Sequence, residues 1–124
     1  MVLPALRRGG YSHCAQVKVG ARPSGRPHFV DLVAEKNGEE ILVSMKWQQT
    51  SGTAEQKVPF EIICLAEALR AYPQYKRAYV VLGGSGWTLR DWFIQNLQRH
   101  LVATEAVKVI SLEDFIGIAN SGRL

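Results

Sequence analysis

The chain has 124 residues, 47% of them hydrophobic and 21% charged, which is typical of one globular domain and not of a disordered tail. No apolar run approaches the roughly 20 residues of a membrane span, and the first residues are too polar for a signal peptide. The net charge of +4 has an uneven distribution, since the first 30 residues hold no acid and five bases: Arg7, Arg8, Lys18, Arg22 and Arg26. This distribution predicts a surface that attracts phosphate.

The first half of the chain is predicted to contain three strands. HCAQVKV (13–19) alternates apolar and polar residues, and the arginine-containing loop GARPSGRP follows it. HFVDLVAE (28–35) and EEILVSMKW (39–47) are joined at Asn37-Gly38, the strongest short signal for a hairpin turn. The hairpin therefore pairs Lys36 with Glu39.

A long helix is predicted over residues 54–71, where apolar side chains recur at helical spacing. Thr53 and Gln56 resemble a capping box at its start. Pro59 either kinks the second turn or marks the first helical position, and the pattern allows both.

The remaining chain alternates strands and helices. The apolar run 77–83 predicts a central strand, and Thr88 with Asp91 predicts the cap of the next helix. VKVIS (107–111) predicts a short strand, after which Ser111 and Asp114 begin a last helix that ends near Gly122. The predicted order is β-β-β-α-β-α-β-α, an α/β fold in which helices flank a mixed central sheet.

The hairpin register concentrates polar residues on one side of the sheet. Asp31 is predicted to lie directly opposite Ser44, and strand alternation places both on the same face as Lys46. Such a cluster is either a cross-strand Asp–Lys pair at the rim of the sheet or a catalytic site whose charged groups are partly desolvated. The spacing alone leaves both interpretations open.

An aspartate on one strand and a lysine near the end of the next, followed by a helix, resembles the PD-(D/E)XK nuclease superfamily over residues 11 to about 112. Asp31 matches the first acid of its motif and Lys46 the lysine. The resemblance implies a restriction-endonuclease-like fold and a DNA endonuclease that uses Mg²⁺, with Mn²⁺ as a substitute. It also implies a homodimer, because one small domain with one site needs a second copy to cut both strands.

Ser44 departs from this motif, since the family usually has an acid there. Some restriction enzymes of the superfamily also have Ser-x-Lys and take the missing glutamate from the next helix. Glu61 and Glu55 are the candidates here, and Glu61 is preferred because it borders the apolar stripe of the helix. The resemblance then assigns the metal to Asp31, to Glu61 or Glu55, and to the backbone carbonyl of Met45.

Further residues are assigned supporting roles. Gln48 shares the strand face of Lys46 and is predicted to contact a phosphate or the attacking water. Gln56 with Phe60 imperfectly resembles a Gln-x3-Tyr helix motif of one nuclease branch, which assigns Gln56 to nucleic-acid binding, and the neighbouring Lys57 is predicted to contact a phosphate. Arg22 and Arg26, in the loop before the Asp31 strand, are predicted to bind phosphates and not bases.

Two alternatives to a restriction-like enzyme remain. One is a Holliday-junction resolvase, and the other is a decayed nuclease domain that binds DNA or a protein, with Ser44 as the sign of decay. The sequence GGSGW (83–87) lacks the second glycine of a nucleophile elbow and predicts a strand-to-helix turn. A phosphate-binding Gly-x4-Gly-Lys loop is also missing from the sequence, so a nucleotide cofactor is not expected.

The remaining notable side chains are predicted to be structural. Cys14 and Cys64 lack the spacing of a metal site or of a disulfide framework, which favours packing residues in a reducing cytoplasm. His28 is expected to have a structural role, although it stands near Asp31. The tryptophans are predicted to lie in the core, with Trp47 as the possible exception because it follows Lys46 onto the opposite sheet face.

Overall fold

A computed structural model describes residues 1–50 and 54–124, and in these ranges a mixed five-stranded sheet carries helices on both faces. The strands lie in the sheet in chain order: Ser12–Ala21 (β1), Pro27–Lys36 (β2), Glu39–Trp47 (β3), Tyr75–Gly83 (β4) and Val107–Ser111 (β5). The helices are Val2–Arg8 (α1), Ala54–Ala71 (α2), Arg90–Asn96 (α3) and Leu112–Asn120 (α4), and a 3-10 turn spans Leu97–His100. The predicted α/β class is confirmed.

The turn between β2 and β3 sets the register of the hairpin. Asn37 and Gly38 have φ angles of 55° and 81°, the left-handed conformation that a type I′ turn requires at both central positions. Lys36 pairs with Glu39 as predicted. β1, β2 and β3 are antiparallel, whereas β3, β4 and β5 are parallel, so the αβ units following the hairpin cross over the sheet.

Two hydrophobic clusters separate the faces of the sheet. α2 and α3 cover one face, where the buried stripe of Val58, Ile62 and Leu65 packs against the sheet. α1 and α4 cover the other face around Phe115. No helix in residues 1–50 and 54–124 is both long and apolar enough to cross a membrane.

α1 was not predicted from the sequence. It has seven residues with Pro4 in its first turn, and no side chain caps it. Ala5 and Leu6 are fully buried in the cluster that α4 shares. Tertiary packing therefore stabilises a helix that is too short to be stable by its own propensity.

The predicted helix boundaries have mixed outcomes. α2 has the predicted bounds, and Pro59 is its sixth residue, so this proline does not mark the first helical position. The Thr53 end of the predicted capping box lies outside the described residues. Ser111 does cap α4, because its Oγ accepts a hydrogen bond from the Asp114 amide at 3.2 Å.

Candidate active site

β2 departs from regular alternation at Asp31. Val30 packs on the α2 side of the sheet, Leu32 on the side of α1 and α4, and Val33 on the α2 side again. On the neighbouring strand β1, Gln16 has a φ of 53°, an uncommon left-handed conformation for a residue other than glycine. The strand is therefore kinked where it carries the candidate catalytic aspartate.

The kink corrects the predicted position of Asp31. Pairing between β2 and β3 follows the predicted register from the turn only as far as Leu32 and Val43, one pair short of Asp31 and Ser44. Instead, the Asp31 Oδ2 accepts a hydrogen bond from the Met45 amide at 2.6 Å. A carboxylate thus takes the place of a backbone carbonyl where the two strands separate.

The Met45 carbonyl is a second polar group in the gap where β2 and β3 separate at Asp31. The N–H and C=O groups of one strand residue point towards the same neighbouring strand. Because the Met45 N–H points to Asp31, its carbonyl oxygen also points to the β2 side of β3. The gap therefore combines a carboxylate with a carbonyl oxygen, as the resemblance implied for a metal site.

Ser44 and Lys46 lie on the α2 face of the sheet, as predicted. The Ser44 Oγ donates a hydrogen bond of 2.6 Å to the Glu61 Oε2, and the positive charge of Lys46 helps to lower the pKa of Glu61. The Lys46 side chain is half-buried. Within residues 1–50 and 54–124, no hydrogen bond or ion pair engages its ammonium, which acts on Glu61 through its charge.

Glu61 is the centre of a buried polar network. Its Oε1 accepts from the Arg22 Nη1 at 3.0 Å, and its Oε2 lies 3.3 Å from the His28 Nε2 and 2.6 Å from the Ser44 Oγ. An ionised carboxylate only accepts hydrogen bonds, so the His28 Nε2 carries the proton. Burial by itself would raise the pKa of Glu61, but the hydrogen bonds from His28 and Ser44, together with the charge of Lys46, lower this pKa from 4.5 to about 2.

The depressed pKa of Glu61 makes the stability of the protein pH-dependent. The stabilisation is complete above the ordinary pKa of 4.5 and is lost as the pH falls towards the folded pKa of about 2. Between pH 7 and pH 3 this one group should remove about 2 kcal/mol from the free energy of unfolding. We expect Glu61→Gln to lack that loss, which urea denaturation at the two pH values would measure.

Glu67→Gln is the matched control for this experiment. Glu67 stands on the same helix, but its side chain is 55% exposed and pairs only with the exposed Arg70 among the described residues. The control should lose as much stability on acidification as the wild type. Equal losses in wild type and Glu61→Gln would contradict the assigned pKa of Glu61.

Glu55, the alternative acid, binds elsewhere. Its carboxylate accepts hydrogen bonds from the Thr88 hydroxyl and amide, and from the Leu89 amide at 2.7 Å, just before α3. These hydrogen bonds, with the Thr88 hydroxyl first, lower the pKa of Glu55. The predicted Thr88–Asp91 cap is wrong, because α3 begins at Arg90 with Leu89 as an N-cap that makes no side-chain hydrogen bond. Of the two candidate acids, Glu61 is therefore the one beside Ser44.

The supporting residues are dispersed. Gln48 is buried, and its side-chain amide donates to the Gly86 carbonyl at 2.9 Å, so it holds the turn that follows β4. That turn connects β4 to α3, as GGSGW predicted. Gln56 and Lys57 are exposed on the first turns of α2, and Arg26 is exposed in the loop before β2. Arg22 differs from these residues, because it is partly buried and forms an ion pair with Glu61.

His28 is the network residue that the sequence did not assign to the site. It is 1% exposed, and its alternation with Val30 on the α2 face is the sequence signal for an inward-facing histidine. Cys64, one helical turn after Glu61, is also buried, and this burial raises the pKa of its thiol. The packing prediction is confirmed for Cys64 and wrong for Cys14, which is exposed on β1.

The oxygen atoms at the site suit a hard divalent cation. Asp31, bonded to the Met45 amide, and Glu61, bonded to Ser44, each carry a carboxylate, and carboxylate and carbonyl oxygens are the ligands that Mg²⁺ takes from proteins. In the described ranges, no group of three or more His, Cys, Asp or Glu side chains could form a metal cage.

A kinked β-hairpin with an acid on one strand and a lysine on the next, backed by a glutamate-bearing helix, defines a restriction-endonuclease-like fold. The family model described as a PD-(D/E)XK nuclease superfamily domain matches residues 5–123, and the chain belongs to that superfamily. A solved structure, described as the protein of unknown function AF1548, superposes with a TM-score of 0.57 at 13% identity and covers 90% of this chain. The match spans 54% of AF1548, and it supports the fold alone. No curated protein matches the chain.

Proposed function

We propose that the chain is a metal-dependent DNA endonuclease in which Ser44-x-Lys46 replaces the usual acid-x-Lys motif and Glu61 supplies the missing carboxylate. The observation that supports this proposal is the 2.6 Å hydrogen bond from the Ser44 Oγ to Glu61. Through this bond the helix carboxylate lies beside the strand position where the family usually has its acid. Glu61 also stays ionised at physiological pH, because its pKa is about 2.

Asp31, Glu61 and the Met45 carbonyl would hold Mg²⁺, for which Mn²⁺ substitutes. When bound, such an ion would supply charge that polarises the phosphate and lowers the pKa of the attacking water. Around it, the Met45 amide orients Asp31, and Ser44 and His28 orient Glu61. Such hydrogen bonds to ligating carboxylates are typical of metal sites.

Lys46 has the most direct role in the proposed reaction. Its ammonium would position the attacking water and neutralise the negative charge that develops in the transition state. Arg26 and Lys57 would hold the flanking DNA backbone, since both are exposed. Cleavage of both strands would require a homodimer, because each chain contributes one such site.

A decayed, DNA-binding domain is the second candidate. The observation in its favour is the ion pair of Arg22 with Glu61, which places a positive group where a metal would also bind. The two candidates differ in metal affinity and in cleavage. A Holliday-junction resolvase is the third candidate function, and it would differ from a restriction-like enzyme in preferring four-way junctions as substrates.

The deciding experiment measures cleavage of supercoiled plasmid, linear duplex, flapped duplex and four-way junction with Mg²⁺, Mn²⁺ or EDTA. We expect products with 5′-phosphates in either metal and none in EDTA. Lys46→Ala, purified identically, should cut at least about 10²-fold more slowly, because a charge-stabilising group is lost. Cleavage by this variant at the parental rate would contradict the assignment of Lys46 to the site, and no cleavage by the wild type on any substrate would favour the decayed domain.

A further inference from the structure

Exposed aromatic side chains occur on each of the three elements that carry the candidate active site. Five aromatic residues are exposed among the described residues, and three of them lie on the elements that carry the site: Phe29 on β2, Trp47 on β3 and Phe60 on α2. Phe29, Trp47 and Phe60 are 52%, 57% and 46% exposed. Scattered exposed apolar residues need no explanation, but three exposed rings on these three elements call for one.

Phe29 and Trp47 stand at the same end of the hairpin. β2 begins and β3 ends there, and the two strands are antiparallel neighbours. His28 faces α2, so alternation directs Phe29 to the opposite face of the sheet. Trp47 reaches this face too, because it adjoins Leu112 of α4. The two rings therefore lie beyond the gap formed by Asp31 and Met45, on one face.

The indole of Trp47 packs closely against Gly83 of the neighbouring strand β4. Gly83 pairs with Trp47 across the parallel β3–β4 ladder, and a Cβ on Gly83 would lie 2.6 Å from the ring. Glycine at this position thus lets the ring pack against the neighbouring strand. The ring is supported by the protein on one side and remains more than half exposed. An aromatic group fixed in this way loses little entropy when a flat ligand stacks on it.

The third ring lies on the helix side and is coupled to a positive charge. The Arg22 guanidinium carbon is 6.0 Å from the centre of the Phe60 ring, while the same guanidinium binds Glu61. Arg26 and Lys18 add exposed positive charge on β1 and the loop before β2. The three rings thus offer π-faces, and Arg26 and Lys18 offer positive charge that attracts phosphate. Proteins that bind single-stranded nucleic acid combine these two features.

We infer that this enzyme binds an unpaired segment of DNA at its active site, with bases stacked on Trp47 and Phe29 on one side of the gap and on Phe60 on the other. This inference rests on the proposed nuclease function and names its substrate class: DNA with a single-stranded segment, such as a flap. In intact duplex the bases are stacked on one another and offer no free face. Stacking of this kind tolerates any sequence, because every base has a π-face.

The test measures binding by fluorescence anisotropy in EDTA, so that no cleavage occurs. The probes are a single-stranded oligothymidine of about 20 nucleotides, long enough to cover a typical site, and a blunt duplex of equal length. The wild type should bind the single strand more tightly than the duplex. Trp47→Ala should weaken single-strand binding by about tenfold and duplex binding by less, since one base stack is lost.

Two further variants isolate stacking from charge and from folding. Trp47→Phe keeps an aromatic ring and should bind the single strand nearly as well as the wild type. Arg26→Ala should lower the slope of log affinity against log salt by about one unit, whereas Trp47→Ala should leave this slope unchanged. Trp92→Ala is the matched control, because Trp92 is 42% exposed but lies on α3, stacked on His100. It should bind like the wild type.

The outcomes separate this inference from the proposed activity. Equal losses of Trp47→Ala on single strand and duplex, or no loss, would overturn the stacking inference even if the protein cuts DNA. Binding of oligouridine in preference to oligothymidine would overturn the choice of DNA. Dissociation of a homodimer by Trp47→Ala, seen by sedimentation, would assign the rings to an interface between copies. Stacking without cleavage on any substrate would refute only the nuclease activity.

Discussion

Asp31→Asn is expected to lower the rate of DNA cleavage by about 10⁴-fold without unfolding the protein. In the wild type, the Asp31 Oδ2 accepts a hydrogen bond from the Met45 amide at 2.6 Å. Asparagine keeps an oxygen that can accept the same hydrogen bond, so the contact between β2 and β3 is retained. It removes the negative charge that would hold Mg²⁺. Asp31→Ala should lose cleavage equally but should also be less stable, because the Met45 amide loses its partner.

The measurement is the single-turnover cleavage rate in Mg²⁺, accompanied by thermal unfolding and by DNA affinity in EDTA. Asp114→Asn is the matched control, since this exposed acid lies on α4 and should cut at the wild-type rate. DNA affinity of Asp31→Asn should equal or exceed that of the wild type, because a negative charge near phosphate has gone. Cleavage at the parental rate would remove Asp31 from the site.

Local signals in the sequence were sufficient for the hairpin and for α2. Asn37 and Gly38 adopt the conformations that their residue types favour, and the turn then fixes the register of the following pairs. α2 has the predicted bounds, since its apolar stripe is long and periodic. These features depend on neighbours in the chain, which is why they could be predicted.

The kink at Asp31 could not be predicted from alternation. The rule that side chains alternate assumes a regular strand, and nothing in the residue type of Gln16 announces its left-handed φ of 53°. The prediction therefore placed Asp31 opposite Ser44, whereas its carboxylate bonds to Met45. The sequence thus brought Asp31 to the correct part of β3, but the break in alternation gives its carboxylate a different partner.

Contacts between distant parts of the chain explain the other differences. Thr88 with Asp91 was expected to cap α3, but the Thr88 hydroxyl donates a hydrogen bond to the carboxylate of Glu55, 33 residues away. His28 lies equally far from Glu61, with which it shares a buried hydrogen bond. The core prediction is wrong for Trp92, which is exposed like Trp47, the exception named from the sequence, because apolar character alone does not identify a core residue.

Glu61 tests whether Ser44 marks a relocated carboxylate or a decayed site. Glu61→Gln should slow cleavage by about 10³-fold and weaken Mn²⁺ binding, since it removes a charged ligand. Glu67→Gln, on the exposed side of the same helix, should change neither property. Glu55→Gln should affect stability through the contacts at Thr88 and leave cleavage near the wild-type rate.

Returning the acid to the strand should reverse part of the Glu61→Gln defect. In the double variant Ser44→Glu, Glu61→Gln, the carboxylate moves to the strand position usual for the family, beside the gap that holds Asp31. We expect Mn²⁺ binding, measured by calorimetry, to recover partly, and the rate to rise above that of Glu61→Gln. Ser44 is only 2% exposed, so Ser44→Asp with Glu61→Gln provides a smaller acid that strains the packing less.

If both double variants fold, as thermal unfolding would show, and neither binds Mn²⁺ better than Glu61→Gln, the two positions do not share one metal. If Glu61→Gln itself cuts at the wild-type rate, Glu61 is a structural partner of Arg22 and His28 and the relocated-carboxylate proposal is wrong.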